Sequence, residues 1–439
     1  MQHTTKQLYA LRLTFNHLCS VIVTLFLGSL LMACSQTTPT PPPTATAGLA
    51  LTPNSSTPTP EATAIPAVNL TGRIVLWHSW SEADGDALAA ILASFQQAHP
   101  ELKVDTLFVA YDDLPQSYTE AVAAGRGPDL ILTSNLWLGE MVKAKAIQPL
   151  DGLASAQDLD VYWPATLDSL RWDGKLYGLP TNFELVSLFY NKNLIAPDKL
   201  PTTMADLLAR AREDKSQGIG LYASLYQLSW GLPAYGAQLL ADDGKVVLDR
   251  NGSAADFLQW LADAKKIPGT FVDPDYGMLL DRFKKGEFAF FVDGPWSIDE
   301  LRKALGDKLA VAQLPSGPAG PARPWLNADG IFINPKSALD QQQRALFFAK
   351  YLTNAANGEV LAKLAHRLPA NQSAKTGDDP LLKAFMQQAA TAQSMPTKPE
   401  MEQVWGYGGD MLLKAVNGVD DPKKIVVQTA TLINEANGK

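Results

Sequence analysis

The sequence predicts an α/β fold, on three observations. From residue 71 onward, short apolar runs of strand length alternate with stretches whose apolar residues recur at helical spacing. Turn-forming Gly and Pro residues separate the two kinds of segment. The composition, 46% hydrophobic and 19% charged over 439 residues, is that of a soluble globular chain long enough for two or three domains and a large core.

The first stretch stands outside this pattern. Lys6 and Arg12, with no acidic residue near them, precede an apolar run over residues 18–33 that ends in Leu31-Met32-Ala33-Cys34. The run holds 16 residues, short of the about 20 that a membrane-crossing helix needs. Residues 1–33 are therefore expected to be a secretory signal, cleaved before Cys34. Leu31-Met32-Ala33-Cys34 resembles the bacterial lipoprotein box, in which the cysteine thiol takes a diacylglycerol and becomes the first mature residue; Met32 is a less usual occupant of its position. An ordinary signal peptide with an incidental cysteine, or an uncleaved anchor, stays open. The two cysteines are Cys19 and Cys34, so the mature chain has no internal disulfide to make and its stability rests on its core. Loss of residues 1–33 leaves 35 basic and 45 acidic residues, a formal charge of −10, with no Lys/Arg cluster. That balance argues against nucleic acid as a partner.

Residues 34–70 read as a linker. They contain Pro41-Pro42-Pro43 and Thr57-Pro58-Thr59-Pro60 and a single charge, Glu61, a composition that cannot bury enough apolar surface to fold. Extended at about 3.1 Å per residue, such a spacer reaches on the order of 100 Å.

The apolar run 74–77 reads as the first strand, and Leu88, Ile91, Leu92 and Phe95 then repeat at helical spacing. Residues 102–109 read as a second strand, 113–124 as a helix, and 129–133 as a third strand after the breaker Gly125-Arg126-Gly127-Pro128. Together these imply a largely parallel sheet. Strands at 175–179 and 185–190, a helix capped by Thr202 or Thr203, and further elements ending in a strand at 288–292 point to a second lobe. The turn Asp293-Gly294-Pro295, a short helix from Trp296, a strand at 330–333 and mostly helical sequence from 339 complete the chain, with no internal repeat.

Two motif groups carry a resemblance. One is Arg171-Trp172-Asp173-Gly174-Lys175-Leu176-Tyr177-Gly178-Leu179-Pro180 with Leu188-Phe189-Tyr190-Asn191-Lys192-Asn193-Leu194; the other is Phe283-Lys284-Lys285-Gly286-Glu287 leading to Asp293-Gly294-Pro295-Trp296. Weaker pieces in the same order are Trp77-His78-Ser79-Trp80, Gly127-Pro128-Asp129-Leu130, and Met395-Pro396 ahead of Trp405. Collinear over nearly the whole chain, the sequence resembles the periplasmic sugar-binding proteins of ATP-binding cassette importers, the group that includes maltose-binding protein. The resemblance implies a two-lobe periplasmic-binding-protein-like fold with a hinge and an interlobe cleft, formed by residues 71–439. It puts lobe one at about 71–182 and 329–375, and lobe two at about 183–326 and 376–439.

A pyranose offers an apolar face and a rim of hydroxyls, so a sugar site needs flat aromatic rings and planar polar groups. The chain has ten tryptophans. The resemblance implies that Trp296 stacks on sugar; Gly294 permits a tight turn there and Pro295 suits a first helical position. Trp405 lies in a motif that carries a cleft aromatic in the family, with Tyr407 as a neighbouring candidate, and Gly406-Tyr407-Gly408-Gly409 is expected to interrupt that helix. Ser79 and Trp80 follow the first strand, where open α/β sheets place ligands, and Ser134, Asn135 and Trp137 follow the third in the same way. The maltose-binding proteins carry an aromatic and charged residues near this third strand; here Thr133 and Asn135 stand instead, which points to a different sugar. Glu184 aligns with a family carboxylate that accepts sugar hydroxyls. Trp230 and Tyr235 correspond roughly to another stacking segment, while Trp325, Asn327 and Asp329 fall at the second hinge crossing. Trp77, Trp163, Trp172 and Trp260 are expected in the core.

The function so implied is capture of a sugar or oligosaccharide by a lipid-anchored, extracytoplasmic solute-binding protein that closes on its ligand and delivers it to the permease subunits of an ATP-binding cassette importer. It is expected to act as a monomer at the membrane, in the periplasm or on the outer face of the cell, with no cofactor or metal. An exported carbohydrate-active enzyme is the rival from another class. The sequence holds no Gly-x-Ser-x-Gly, His-Glu-x-x-His, Walker or Gly-x-Gly-x-x-Gly motif, and its mature histidines, His78, His99 and His366, are far apart. The same fold with a charged solute, a polyamine or a glycerophosphodiester, is the nearer alternative. Arg126 and Arg323 are the arginines considered for an anion, and no Tyr-Tyr pair is present for iron.

Overall fold

The structure, a computed structural model, describes residues 70–439. The expected signal peptide, the lipidation at Cys34 and the linker up to residue 69 lie outside the described residues. Among the described residues no helix is long and apolar enough to cross a membrane.

Two sheets organise the molecule. In the first, the order across the sheet is Leu368–Pro369, Gly178–Glu184, Trp325–Ile333, Leu130–Ser134, Gly72–His78, Leu102–Phe108, with Gln393–Ser394 added beside the start of Trp325–Ile333. In the second it is Leu309–Ala312, Ser187–Asn191, Phe290–Asp293, Ile219–Tyr222, Phe271–Asp273. Both are mixed rather than largely parallel. Gly72–His78 runs parallel to its two neighbours, as expected, but Trp325–Ile333 and Gly178–Glu184 enter antiparallel. The reason is topological: these two strands carry the chain between the lobes.

The chain leaves the first sheet after Glu184 and enters the second at Ser187, then returns from Ala312 to Trp325. A third crossing follows Leu368–Pro369, where the helix Pro380–Ala389 sets Phe385 against Phe189 of the second sheet at 5.5 Å between ring centroids. Phe183, Ala328 and Leu368 from the crossing strands share one apolar cluster with Phe189, Phe291 and Phe385, so the hinge is packed as well as hydrogen-bonded.

Local sequence explains the elements around the cleft. Leu130–Ser134 is buried at every position, the pattern of a strand covered on both faces. Leu102–Phe108 sits at the sheet edge and leaves Leu107 and Phe108 half-exposed. The helix Met401–Val416 runs unbroken through Gly406-Tyr407-Gly408-Gly409, against expectation. Its buried residues Met401, Val404, Gly408, Met411, Leu412 and Ala415 form one helical stripe, and that burial outweighs the poor helix propensity of glycine. A Cβ on Gly408 would lie 2.9 Å from the Leu225 side chain, so this glycine lets the helix approach its neighbour.

Candidate ligand-binding cleft

The floor of the cleft is built where the crossing strands end. Asn327 pairs with Glu184 in the sheet register, and its side chain donates to Glu184 Oε1 at 3.1 Å. The Tyr226 hydroxyl donates to Asn327 Oδ1 at 2.8 Å. Arg367 donates to Glu184 at 3.2 Å and to both oxygens of Asp84 at 2.8 and 2.6 Å. Asp329 accepts from the Trp80 indole and from the Asn182 amide, each at 3.3 Å. Two carboxylates thus share one guanidinium, and the third, Asp329, lies within its field.

Burial pushes the Glu184 carboxyl up to about 7; Arg367 opposes that rise and nearby Asp329 adds to it. Burial also raises Asp329, against the pull of Arg367. Asp293, fully buried at the end of Phe290–Asp293, accepts from Gln227 at 3.1 Å and Tyr276 at 2.9 Å, and burial pushes it up to about 6.

Trp296 follows directly. Its ring folds back over Gly294, where an added Cβ would lie 2.0 Å from ring carbon. The glycine is therefore required for close approach, with a φ of −109° that any residue adopts. Pro295 opens the short helix Pro295–Ser297, as its fixed φ suits.

The main chamber has a volume of ≈660 Å³ and is lined by Trp137, Glu184, Tyr226, Trp296, Asn327 and Trp405, among others. A second, more polar chamber of ≈300 Å³ shares Glu184 and Trp296 with it and is lined by Ser79, Trp80, Asp84, Tyr111, Asp329 and Arg367. Thr133 also lines this second chamber; it is 2% exposed and its hydroxyl has no partner. Among the described residues, no three or more His, Cys, Asp or Glu side chains are grouped to hold a metal ion.

The structure brings together Ser79, Trp80, Glu184, Trp296, Asp329 and Trp405 around these two chambers. Asn135 lines an adjoining pocket of ≈170 Å³ that shares Leu136, Glu140 and Trp405 with the main chamber. Three candidates are placed elsewhere. Trp230 is fully buried in the second-lobe core, edge-on to Trp260 and Phe257, so its ring has no face to offer a ligand. Trp325 is 2% exposed and stands edge-on to Trp405 at 5.6 Å, backing that ring rather than facing the main chamber. Tyr407 is half-buried against the second-lobe core and lines neither chamber, because two residues along a helix turn its side chain away from that of Trp405. Of the tryptophans expected in the core, Trp260 is buried, Trp77 and Trp172 are half-buried against the first-lobe core, with Trp172 also lining the ≈170 Å³ pocket, and Trp163 is 37% exposed.

Sequence reasoning missed Asp84, Tyr111, Tyr226 and Arg367. Tyr226 lies past the end of Ile219–Tyr222, so the strand-end rule that selected Ser79 and Trp80 also reaches it. Arg367 had no local signal, since its partners lie 283 and 183 residues away. Arg126 and Arg323, the arginines considered, are both exposed.

A two-lobed α/β molecule with an aromatic and carboxylate-lined cleft at its hinge defines an extracytoplasmic solute receptor. The chain belongs to the bacterial extracellular solute-binding protein family, whose model matches residues 90–393. It is similar to a maltotriose-binding protein of Pyrococcus abyssi, 25% identical over 76% of this chain and 76% of that protein. A maltooligosaccharide ABC transporter solute-binding lipoprotein of Streptococcus pneumoniae is 26% identical over 60% of this chain and 66% of its own length. Among solved structures, the Thermus thermophilus maltotriose binding protein bound with maltotriose is 26% identical, with a TM-score of 0.70 over 83% of this chain and 99% of that one.

Proposed function

We propose that this protein captures a neutral oligosaccharide in the interlobe cleft and delivers it to the membrane subunits of an ATP-binding cassette importer. The observation that carries the reading is the ≈660 Å³ chamber, in which the rings of Trp137, Tyr226, Trp296 and Trp405 surround the paired Glu184 and Asn327. Rings cover the C–H faces of a pyranose, and carboxylate and amide groups take its hydroxyls. The relatives are named for maltotriose, maltooligosaccharide and galactooligosaccharide, which supports an oligosaccharide as the ligand class. Groups from both lobes line the chamber, so a ligand that touches them all favours the closed arrangement by its differential affinity. The protein is read as a monomeric receptor without catalysis, held at the membrane by lipid on Cys34 and lifted from it by the linker.

One observation favours a second reading. Asp84, Glu184 and Asp329 outnumber Arg367, so a cationic solute such as a polyamine suits the polar chamber, whereas an anionic glycerophosphodiester does not. A thermal-shift screen of the mature protein against mono- and oligosaccharides, polyamines and glycerophosphodiesters separates these. A ligand at 100 times its dissociation constant stabilises by about 2.7 kcal/mol. A shift with an oligosaccharide supports the first reading; a shift with a polyamine and none with sugars replaces it.

A further inference from the structure

We propose that Tyr276 is a positioning residue for Trp296: its hydroxyl, anchored on Asp293, holds the indole in the plane at which it meets the ligand, without itself touching that ligand. The inference takes its ligand from the oligosaccharide reading above, whereas the anchoring of the ring stands without any ligand. Tyr276 donates to Asp293 Oδ2 at 2.9 Å, and the Trp296 side chain is within hydrogen-bonding range of the same hydroxyl. An indole N–H only donates, so the hydroxyl accepts from Trp296 and donates its own hydrogen bond to Asp293. Tyr276 lines neither the ≈660 Å³ nor the ≈300 Å³ chamber, both of which Trp296 lines.

The two groups behind the indole are themselves fixed. Asp293 is fully buried at the end of Phe290–Asp293, and its other oxygen accepts from the buried Gln227 at 3.1 Å. A carboxyl keeps an acceptor oxygen whether ionised or protonated, so this anchor does not depend on the charge of Asp293. Tyr276 opens the helix Tyr276–Lys284, whose start is held by the Asp275 side chain accepting from the Met278 N–H at 2.9 Å. Its ring stands edge-on to Tyr222 at 5.6 Å and lies 6.3 Å from Phe291. Trp296 has less to hold it. It is half-buried on a three-residue turn, packed on Gly294 and 6.2 Å from the Tyr226 ring. A ring that covers a pyranose face must present one plane, and a side chain that has to be ordered on binding costs affinity. The Tyr276 hydroxyl supplies that order in advance.

The test uses the mature protein labelled with fluorotryptophan, first without ligand. Among the resonances of the ten tryptophans, the Trp296 line in the fluorine NMR spectrum is the one missing from Trp296→Phe. Tyr276→Phe keeps the ring against Tyr222 and Phe291 and removes only the hydroxyl; the Trp296 line is expected to shift and broaden while that of the core residue Trp230 stays. In titration calorimetry with maltotriose, Tyr276→Phe is expected to weaken binding roughly two- to tenfold, the cost of ordering one side chain on binding. Trp296→Phe has no N–H to be held, so adding Tyr276→Phe to it should change affinity no further, an outcome that a merely structural role of Tyr276 does not produce. An unmoved Trp296 line, an unchanged affinity in Tyr276→Phe, or the same loss in both backgrounds overturns the role of Tyr276 while leaving the oligosaccharide reading intact. Failure of maltotriose to bind the wild type overturns the ligand reading instead, and the fluorine spectra then still decide whether Tyr276 holds the ring.

Discussion

Arg367 joins Asp84 and Glu184 across the floor of the cleft, with its side chain only 15% exposed and each carboxylate 18% exposed. It ties the first turn of the helix Glu82–Ala98 to the end of a hinge-crossing strand. Breaking such a pair from one side leaves a buried charge uncompensated, which costs about 3 kcal/mol or more. Arg367→Ala is therefore expected to lower the free energy of unfolding by roughly that amount at pH 8 in urea titrations. The loss should be smaller at pH 5, where Glu184 is protonated and needs no cation. An unchanged urea midpoint at pH 8 contradicts this account of Arg367.

Ligand affinity should depend on pH through Glu184. Its folded-state carboxyl stands near 7, above its ordinary value of 4.5. The unfolded chain therefore loses this proton first, and folding stability falls as pH rises from about 4.5 to about 7, then levels. Sugar hydroxyls donate to the ionised carboxylate, so binding releases the proton and affinity should rise over the same upper range, from pH 6 to 7.5. Glu184→Gln should flatten that profile; a profile unchanged by the substitution assigns the titration elsewhere. Asp293, near 6, contributes to the stability slope but lies behind Trp296, buried, and should not contribute to the slope of affinity.

Trp230 and Trp296 should separate by phenotype. Trp230 is fully buried against Phe257 and Trp260, so Trp230→Ala should cost about 3–5 kcal/mol of stability. Differential scanning calorimetry of the ligand-free protein reads this directly. A melting temperature equal to that of the wild type would return Trp230 to the list of ligand contacts.

Two glycines of the Met401–Val416 helix should behave oppositely once enlarged. Neither Gly406 nor Gly409 has an atom within 4 Å of an added Cβ, so alanine at either position should stabilise the helix by up to about 1 kcal/mol. Gly409 lines the main chamber and Gly406 does not. Gly409→Leu should then weaken ligand binding while Gly406→Leu leaves it alone, as read by competitive titration. Equal effects at both positions contradict the placement of this helix face in the cleft.

What the sequence disclosed followed the reach of each signal. Asp293-Gly294-Pro295-Trp296 was legible because a strand end, a close approach and a helix start lie within four consecutive residues. The first strands and helices were legible for the same reason, through periodicity in one window. The helix Met401–Val416 was misread at its glycines because a local propensity was weighed without the packing that overrides it, namely Gly408 against Leu225. Arg367 and Asp84 stayed hidden because their pairing joins distant parts of the chain, and Trp230 was indistinguishable by type from the tryptophans that face the cleft. A tryptophan's identity marks a flat apolar surface; only the fold decides whether that surface meets a ligand or the core.

The most direct test is isothermal titration of the mature protein with maltotriose, in the wild type and in Trp296→Ala. The account predicts one binding site in the wild type and a loss of roughly 1 to 3 kcal/mol in the variant, the range for removing a buried aromatic contact. Equal affinity in the two proteins, or heat from spermidine and none from any sugar, contradicts it.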